Sequence, residues 1–242
     1  MNSRPASDYG AGSIEDVQRY YAGRATESRL EDLYAPTSAG HAYLLRRRDA
    51  TLVRLLDQQG VFPLRDKQIL DIGCGAAWQL RRLVDLGADP SRCCGIDVNQ
   101  ERLSIAHYYN AHMTFILGSA EAIPLPAGIF DIVTQFTAFS SMASDDMRRK
   151  SAAEMLRVVT SGGVILWYDF RVKHPRNRYV TPMNAEAVRN LFPGCELCLF
   201  SHTLAPPISR RLAPYSEIGC LILERLPILR THYFALITRP SE

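Results

Sequence analysis

The chain has 242 residues, of which 47% are hydrophobic and 22% charged, and its 28 lysines and arginines outnumber its 25 aspartates and glutamates. This composition excludes a disordered or collagen-like chain and predicts one large globular domain with an ample core. The net charge of +3 gives no support to nucleic-acid binding, because such proteins concentrate far more positive charge on one face.

The amino terminus lacks an apolar segment, and no stretch approaches the roughly 20 apolar residues of a membrane-spanning helix. The sequence therefore predicts a cytoplasmic protein without a secretory signal or a membrane span. Its six cysteines are then expected to be reduced thiols. Cys195 and Cys198 have the spacing of half a zinc site, but they fall in a predicted strand, where these positions point to opposite faces. We predict no metal site.

Hydrophobic periodicity predicts helices that alternate with strands. The predicted helices span residues 14–25, 41–59, 77–86, 101–110, 145–159 and 184–191. The predicted strands span residues 68–72, 93–97, 113–117, 130–136, 164–168, 197–204 and 232–238. Ser144 or Asp145 is the expected N-cap of the fifth helix, and Gly162 and Gly163 its expected end. This alternation predicts an α/β protein with a doubly wound, mostly parallel, seven-stranded sheet.

Two segments lie outside the alternation. Residues 1–65 are predicted to form an N-terminal helical cap, and residues 66–242 the main domain, with a helical insert at 205–230 before the last strand. The insert is interpreted as a lid over a binding site, a dimer contact or a membrane-surface element. Its apolar stripe, flanked by arginines, is either core packing or a peripheral contact with anionic lipid. The stripe consists of Ile218, Leu221, Ile222 and Leu226.

A glycine turn follows the first predicted strand. Gly73 and Gly75 let the backbone approach a ligand closely, and Asp97 ends the next strand, where nucleotide-binding α/β folds place the carboxylate that accepts ribose hydroxyls. Trp78 is too bulky for the small last position of a dinucleotide fingerprint, and no Gly-Lys-Ser/Thr follows. The pattern predicts a nucleotide-like ligand other than NAD, FAD or ATP.

Five segments resemble, in order, the motifs of class I S-adenosylmethionine-dependent methyltransferases: residues 70–75, 95–98, 118–126, 130–133 and 154–163. Within that class the sequence is most similar to the small-molecule "type 11" group. The resemblance implies a Rossmann-like methyltransferase fold and S-adenosylmethionine as cofactor. Two departures stand out: Ala76 replaces a third glycine, and Ser119 replaces an aspartate that meets the adenine amino group.

The resemblance also implies a cofactor site. Gly73 and Gly75 would approach the methionine moiety, Asp97 would hold the ribose, and Val98 would pack on the adenine. Two residues of the set have an alternative interpretation. Gln135 could instead be a solvated strand end, and Tyr20 could instead take part in ordinary packing. The full predicted set is Tyr20, Asp71, Gly73, Cys74, Gly75, Asp97, Val98, Ser119, Ala120 and Gln135.

The segment after the fifth predicted strand combines Asp, His, Arg and Tyr at the expected active-site edge. Asp169 or His174 is the predicted general base, which a hydroxyl acceptor needs. Arginines of the same segment are predicted to bind an anionic acceptor: Arg171, Arg176 and Arg178. A structural ion pair for Asp169 and a solvated His174 are the alternatives.

The sequence Gln135-Phe-Thr-Ala-Phe139 stands where methyltransferases of exocyclic amines carry Asn-Pro-Pro-Tyr. It favours O-methylation of a small-molecule or glycan acceptor, with C- or N-methylation possible. A non-catalytic sensor or scaffold that binds the same cofactor is the alternative from another class. No nucleic-acid partner is predicted, and the chain is expected to be a monomer or homodimer.

Overall fold

The computed structural model describes residues 38–174, 177 and 180–240, and elements are numbered within that part of the chain. Its helices are α1 (Ala39–Gln58), α2 (Trp78–Asp85), α3 (Gln100–Tyr109), α4 (Asp145–Val158), α5 (Ala185–Leu191), α6 (Pro206–Leu212) and α7 (Glu217–Glu224). Its strands are β1 (Ile69–Ile72), β2 (Cys93–Asp97), β3 (Thr114–Leu117), β4 (Phe130–Phe136), β5 (Val159–Phe170), β6 (Glu196–Leu204) and β7 (Arg230–Thr238). The predicted helix at 14–25, Tyr20, Arg176 and Arg178 lie outside the described residues.

The seven strands form one sheet in the order β3-β2-β1-β4-β5-β7-β6. All neighbours are parallel except β7, which is antiparallel to both β5 and β6. The predicted doubly wound sheet is therefore confirmed. The strand order reverses between β1 and β4, and ligands of such sheets bind beyond the carboxyl ends of the strands at that point.

Helices cover both faces of the sheet, so its central strands are buried on both sides. On one face Leu52 and Leu56 of α1 and Leu80 of α2 pack in the core. On the other, Met155 of α4 and Val188 of α5 do the same. All four residues of β1 are buried as a result, which fixes the loop that follows it.

Helix α4 begins as predicted but does not end as predicted. The Ser144 hydroxyl accepts a hydrogen bond from the Met147 N–H at its start. The helix stops at Val158 and β5 starts at once, so the prediction that Gly162 and Gly163 end the helix is wrong. These glycines form an irregular stretch inside β5, where the Gly162 N–H donates to the Arg239 carbonyl.

The predicted helical insert consists of α6, α7 and a short 3-10 turn, and it packs against α1. Gly40 lies at the contact between α1 and α6, since a Cβ added to it would lie 2.4 Å from the Cα of Arg210. Tyr43 of α1 donates a hydrogen bond to the Glu224 carboxylate of α7 at 2.8 Å. Both contacts hold the insert on the amino-terminal half of α1.

The apolar stripe of the insert faces solvent. Ile218 is 72% and Ile222 60% exposed, so core packing does not account for these side chains. The contact with anionic lipid stays a prediction. In the part of the chain that the structure describes, no helix is long and apolar enough to cross a membrane.

All six cysteines lie in the described residues and are free thiols. Cys74, Cys93, Cys94 and Cys220 are buried, whereas Cys198 on the edge strand β6 is exposed.

Candidate functional site

A cavity of about 360 Å³ opens at the carboxyl ends of β1 and β2, beside α1. The turn after β1 forms its floor, and the ends of β2 and β3 form one wall. The opposite wall is more apolar and includes Phe136, Met142, Met147 and Tyr168. The cavity therefore lies where the sheet topology predicts a ligand.

The floor of the cavity is the turn after β1, which larger side chains at its two glycines would disrupt. Gly73 and Gly75 have φ angles of +67° and +51°, which glycine adopts without strain. A Cβ on Gly73 would lie 2.7 Å from the Cβ of Ala138. The N–H groups of Gly73 and Cys74 both donate to the Ile96 carbonyl, at 2.8 and 3.1 Å, which ties the turn to β2.

Asp97 stands at the end of β2 with its carboxylate held in place. One oxygen accepts the Gly75 N–H at 2.8 Å, and the other accepts the Asn99 N–H at 2.9 Å. A carboxylate has about four acceptor sites, so each oxygen keeps one for a ligand in the cavity. The residue is thus oriented by the backbone before any ligand arrives.

A second carboxylate and an arginine meet beneath the turn. Burial is the main cause that raises the pKa of Asp71 to about 7; a 2.6 Å hydrogen bond from the Thr134 hydroxyl opposes this rise, the charge of Asp97 adds to it, and the charge of Arg48 opposes it. Arg48 of α1 also lines this cavity and lies 5.2 Å from the Phe136 ring centre. Its Nε is buried and has no hydrogen-bond partner among the described residues.

Tyr168 begins a chain of hydrogen bonds that leads away from the cavity. Its hydroxyl lies 2.6 Å from Oγ1 of Thr203, which lies 2.9 Å from Nδ1 of His202. Nε2 of His202 lies 2.9 Å from Oγ1 of Thr51. Burial lowers the pKa of His202 to about 4 and raises that of Tyr168 to about 12, so both groups are neutral near pH 7.

Comparison with known proteins identifies the family. Residues 69–163 match the family model of a methyltransferase domain. The chain carries a methyltransferase domain of the class I, S-adenosylmethionine-dependent type. It is 26% identical over 228 residues to ajmaline N-methyltransferase of Rauvolfia serpentina, covering 82% of this chain and 70% of that protein.

Two further relatives agree with this assignment. Malonyl-[acyl-carrier protein] O-methyltransferase of Serratia marcescens is 32% identical over 101 residues, 42% of this chain and 37% of that protein. The fold matches an S-adenosylmethionine-dependent methyltransferase from Mesorhizobium loti with a TM-score of 0.54 at 13% identity, over 76% of this chain and 96% of that one. One relative methylates nitrogen and another oxygen, so the family leaves the acceptor atom of this methyltransferase open.

The cavity brings together most of the predicted cofactor residues of the methyltransferase. Gly75 borders it through its hydrogen bond to Asp97. Gln135 does not line it but is buried beneath, where it accepts the Ala138 N–H at 2.9 Å. The lining residues from the predicted set are Asp71, Gly73, Cys74, Asp97, Val98, Ser119 and Ala120.

Both departures from the family motifs gain a structural description. The left-handed backbone that favours glycine occurs at Ala77, with φ of +63°, and not at Ala76, so alanine at position 76 needs no unusual backbone. Ser119 uses its hydroxyl within its own turn, accepting the Glu121 N–H at 3.2 Å.

The predicted catalytic residues of the methyltransferase do not line the cavity. Asp169 is fully buried and accepts N–H groups from Ser140 at 3.0 Å and Phe170 at 2.8 Å. His174 packs edge-on against Phe170, and Arg171 donates to main-chain carbonyls next to β7. Burial raises the pKa of Asp169. Their catalytic and acceptor-binding roles stay predictions, and the hydrogen bonds of Asp169 to main-chain N–H groups favour a structural role for this carboxylate.

Arg48 and Tyr168 are among the lining residues that the sequence analysis missed. Arg48 precedes every motif, and nothing in the sequence brings α1 to the turn after β1. Tyr168 could have been found, because strand residues alternate between faces. In β5 the odd-numbered Trp167 packs on the α4 face of the sheet, whereas Tyr168 packs on the α1 face.

Proposed function

We propose that this methyltransferase methylates a hydroxyl group of a small-molecule acceptor, and that the cavity at the end of β1 holds its cofactor. Asp97 accepts the ribose hydroxyls, and Val98 packs on the adenine beside Ser119 and Ala120. The glycine turn lies against the methionine portion. The carboxylate of Asp97 supports this proposal. Two backbone N–H groups already orient it, and each of its oxygens keeps an unused acceptor site.

The charged groups of the cavity fit the methionine portion. Its carboxylate suits the buried Nε of Arg48, which has no other hydrogen-bond partner among the described residues. Its ammonium group suits Asp71, which also lines the cavity. A buried polar group without a partner costs free energy, so the Nε of Arg48 gains most from an anionic group of the ligand.

Bound S-adenosylmethionine supplies an electrophilic methyl group, so the chain needs mainly to position the acceptor in line with it. The apolar wall of Phe136, Met142 and Met147 suits a largely apolar acceptor. Tyr168 contributes a neutral hydroxyl on this wall that can orient a polar group of the acceptor.

Hydroxyl acceptors must also lose a proton as the new bond forms. In the proposed route the acceptor proton passes to Oη of Tyr168, whose own proton passes to Oγ1 of Thr203. The Thr203 proton passes to Nδ1 of His202, which is neutral and therefore able to accept it. The observation that carries O-methylation is this unbroken chain of hydrogen bonds from the cavity wall to an imidazole.

An amine acceptor is the second candidate. Among the described residues, Asp71 and Asp97 are the carboxylates that line the cavity, and both are assigned to the cofactor. A neutral amine attacks through its lone pair and needs no base at that moment, so N-methylation fits a wall without a further carboxylate. The similarity to an N-methyltransferase supports the same candidate.

The test uses Tyr168→Phe, with Tyr108→Phe as control because Tyr108 is exposed and does not line the cavity. S-adenosylhomocysteine should bind both variants as it binds the wild type in a calorimetric titration. Radiolabelled methyl transfer to acceptors in a cell extract should fall by about tenfold or more in Tyr168→Phe alone, since general acid–base steps contribute at least that much. Unchanged transfer in Tyr168→Phe would refute the proton route and favour the amine acceptor.

A further inference from the structure

A second cavity, of about 410 Å³, lies between α1, β6 and α7, away from the cofactor residues. Its lining residues are Arg47, Thr51, Arg54, Phe200, Ser201, His202, Leu221, Glu224, Arg225 and Arg230. His202 belongs to its wall, so the two cavities face opposite ends of the chain of hydrogen bonds that starts at Tyr168.

The second cavity is strongly positive. Four arginines line it against a single carboxylate, that of Glu224, which leaves three positive charges in excess (4 − 1 = 3). Glu224 is already engaged, since its Oε2 accepts from Arg47 Nε at 2.7 Å and from the Tyr43 hydroxyl at 2.8 Å. Burial keeps His202 neutral near pH 7, so it adds no charge of its own.

The remaining arginines differ in how they are held. Arg230 donates to the main-chain carbonyls of Glu224 and Ser201, which fixes its guanidinium in the wall without neutralising it. Arg54 lies 6.0 Å from the Phe200 ring centre. The side chains of Arg54 and Arg225 have no hydrogen bond or ion pair to any described residue, so their donors are available to a ligand.

We propose that this second cavity binds a phosphate-bearing anion, with Arg54 and Arg225 as its main ligands and Arg230 as a fixed third. A guanidinium presents paired N–H donors that match two oxygens of a phosphate, and such charge-assisted bonds are about twice as strong as neutral ones. An excess of three positive charges matches a phosphate or diphosphate better than a single carboxylate.

The phosphate can come from either of two sources. A free phosphorylated small molecule would occupy the cavity alone. The headgroup of an anionic lipid would also bring its acyl chains beside the exposed apolar side chains of α7, of which Leu221 lines the cavity. The proposed chemistry is the same for both, and vesicles distinguish them.

The test is a calorimetric titration of inorganic pyrophosphate into the full chain at low ionic strength, where charge interactions are least screened. The variant is the double substitution Arg54→Gln with Arg225→Gln. The control is Arg211→Gln, because Arg211 is an exposed arginine of the same insert that does not line the cavity. We expect one pyrophosphate per chain, at least about tenfold weaker binding in the double variant, and wild-type binding in the control.

Absence of pyrophosphate binding at millimolar concentration, or equal weakening in the control, would overturn the proposal. Binding of phosphatidylglycerol vesicles, but not phosphatidylcholine vesicles, that the double variant loses would identify the source as a lipid headgroup. Pyrophosphate binding without vesicle binding would identify a free phosphate. S-adenosylhomocysteine is titrated in parallel, so that failure of this site and failure of the cofactor site are recorded separately.

Discussion

The two cavities of this methyltransferase are built in different ways. The cofactor cavity depends on backbone: a glycine turn, two hydrogen bonds that orient Asp97, and the ends of parallel strands. The second cavity depends on side chains from α1 and from a distant part of the chain that includes β6, α7 and the first residue of β7. Backbone-built sites leave short motifs in a sequence, whereas sites assembled from distant side chains leave none.

The stability of the two regions is also expected to change in opposite directions with pH. The pKa of Asp71 is raised to about 7, so its contribution to stability is present at low pH and is lost as the pH rises towards 7. The pKa values of His202 and His232 are lowered to about 4 and about 3, so their contribution is present above pH 6.5 and is lost as the pH falls. Acid therefore weakens the antiparallel side of the sheet first.

The largest expected effect is a loss of ligand binding in one cavity and not in the other. Asp97→Ala removes the two proposed charge-assisted hydrogen bonds to the ribose, of about 1.5–3 kcal/mol each, and should weaken S-adenosylhomocysteine binding by about 150-fold or more. Calorimetry measures this, with the exposed Asp66→Ala as control. Pyrophosphate binding should not change. If Asp97→Ala binds the nucleoside normally, the ribose assignment is wrong.

A smaller effect concerns the acid response. Between pH 6.5 and 4, protonation of His202 should cost the wild type roughly 3 kcal/mol of unfolding free energy, at about 1.4 kcal/mol for each pKa unit. His202→Gln should lose less over the same interval, as measured by urea unfolding at both pH values. The exposed His112→Gln should behave as the wild type does. Equal losses in all three proteins would contradict the role of His202.

The smallest effect tests how the insert is attached. Gly40→Ala should destabilise the protein by about 2 kcal/mol, because the new methyl group meets the backbone of Arg210. Helix propensity alone predicts the opposite, a gain of about 1 kcal/mol. Gly219→Ala is the matched control, since its Cβ would meet side-chain atoms and no backbone, with Leu212 Cδ2 at 3.1 Å and Ser216 Oγ at 3.3 Å. Urea unfolding that shows Gly40→Ala to be as stable as the wild type would contradict this contact.

The sequence predicted the sheet and the glycine turn after β1 well because both arise from local patterns. The apolar run into Gly73 and the acidic end of β2 identified the turn and Asp97. Asp169 shows the limit: its residue type fitted a base, but burial against Ser140 and Phe170 depends on the packing of a turn from elsewhere. Arg48 could not be predicted, because its position depends on how α1 docks on the finished sheet.

The thiols of this methyltransferase have a practical consequence. Cys74 lines the cofactor cavity, yet burial raises the pKa of its thiol well above the ordinary value, so it is scarcely ionised near pH 7. Maleimide reagents react with thiolates and should not modify Cys74, whereas the exposed Cys198 on β6 is accessible to them. The natural sequence therefore offers a position for a fluorescent label beside the antiparallel end of the sheet, with the cofactor cavity left intact.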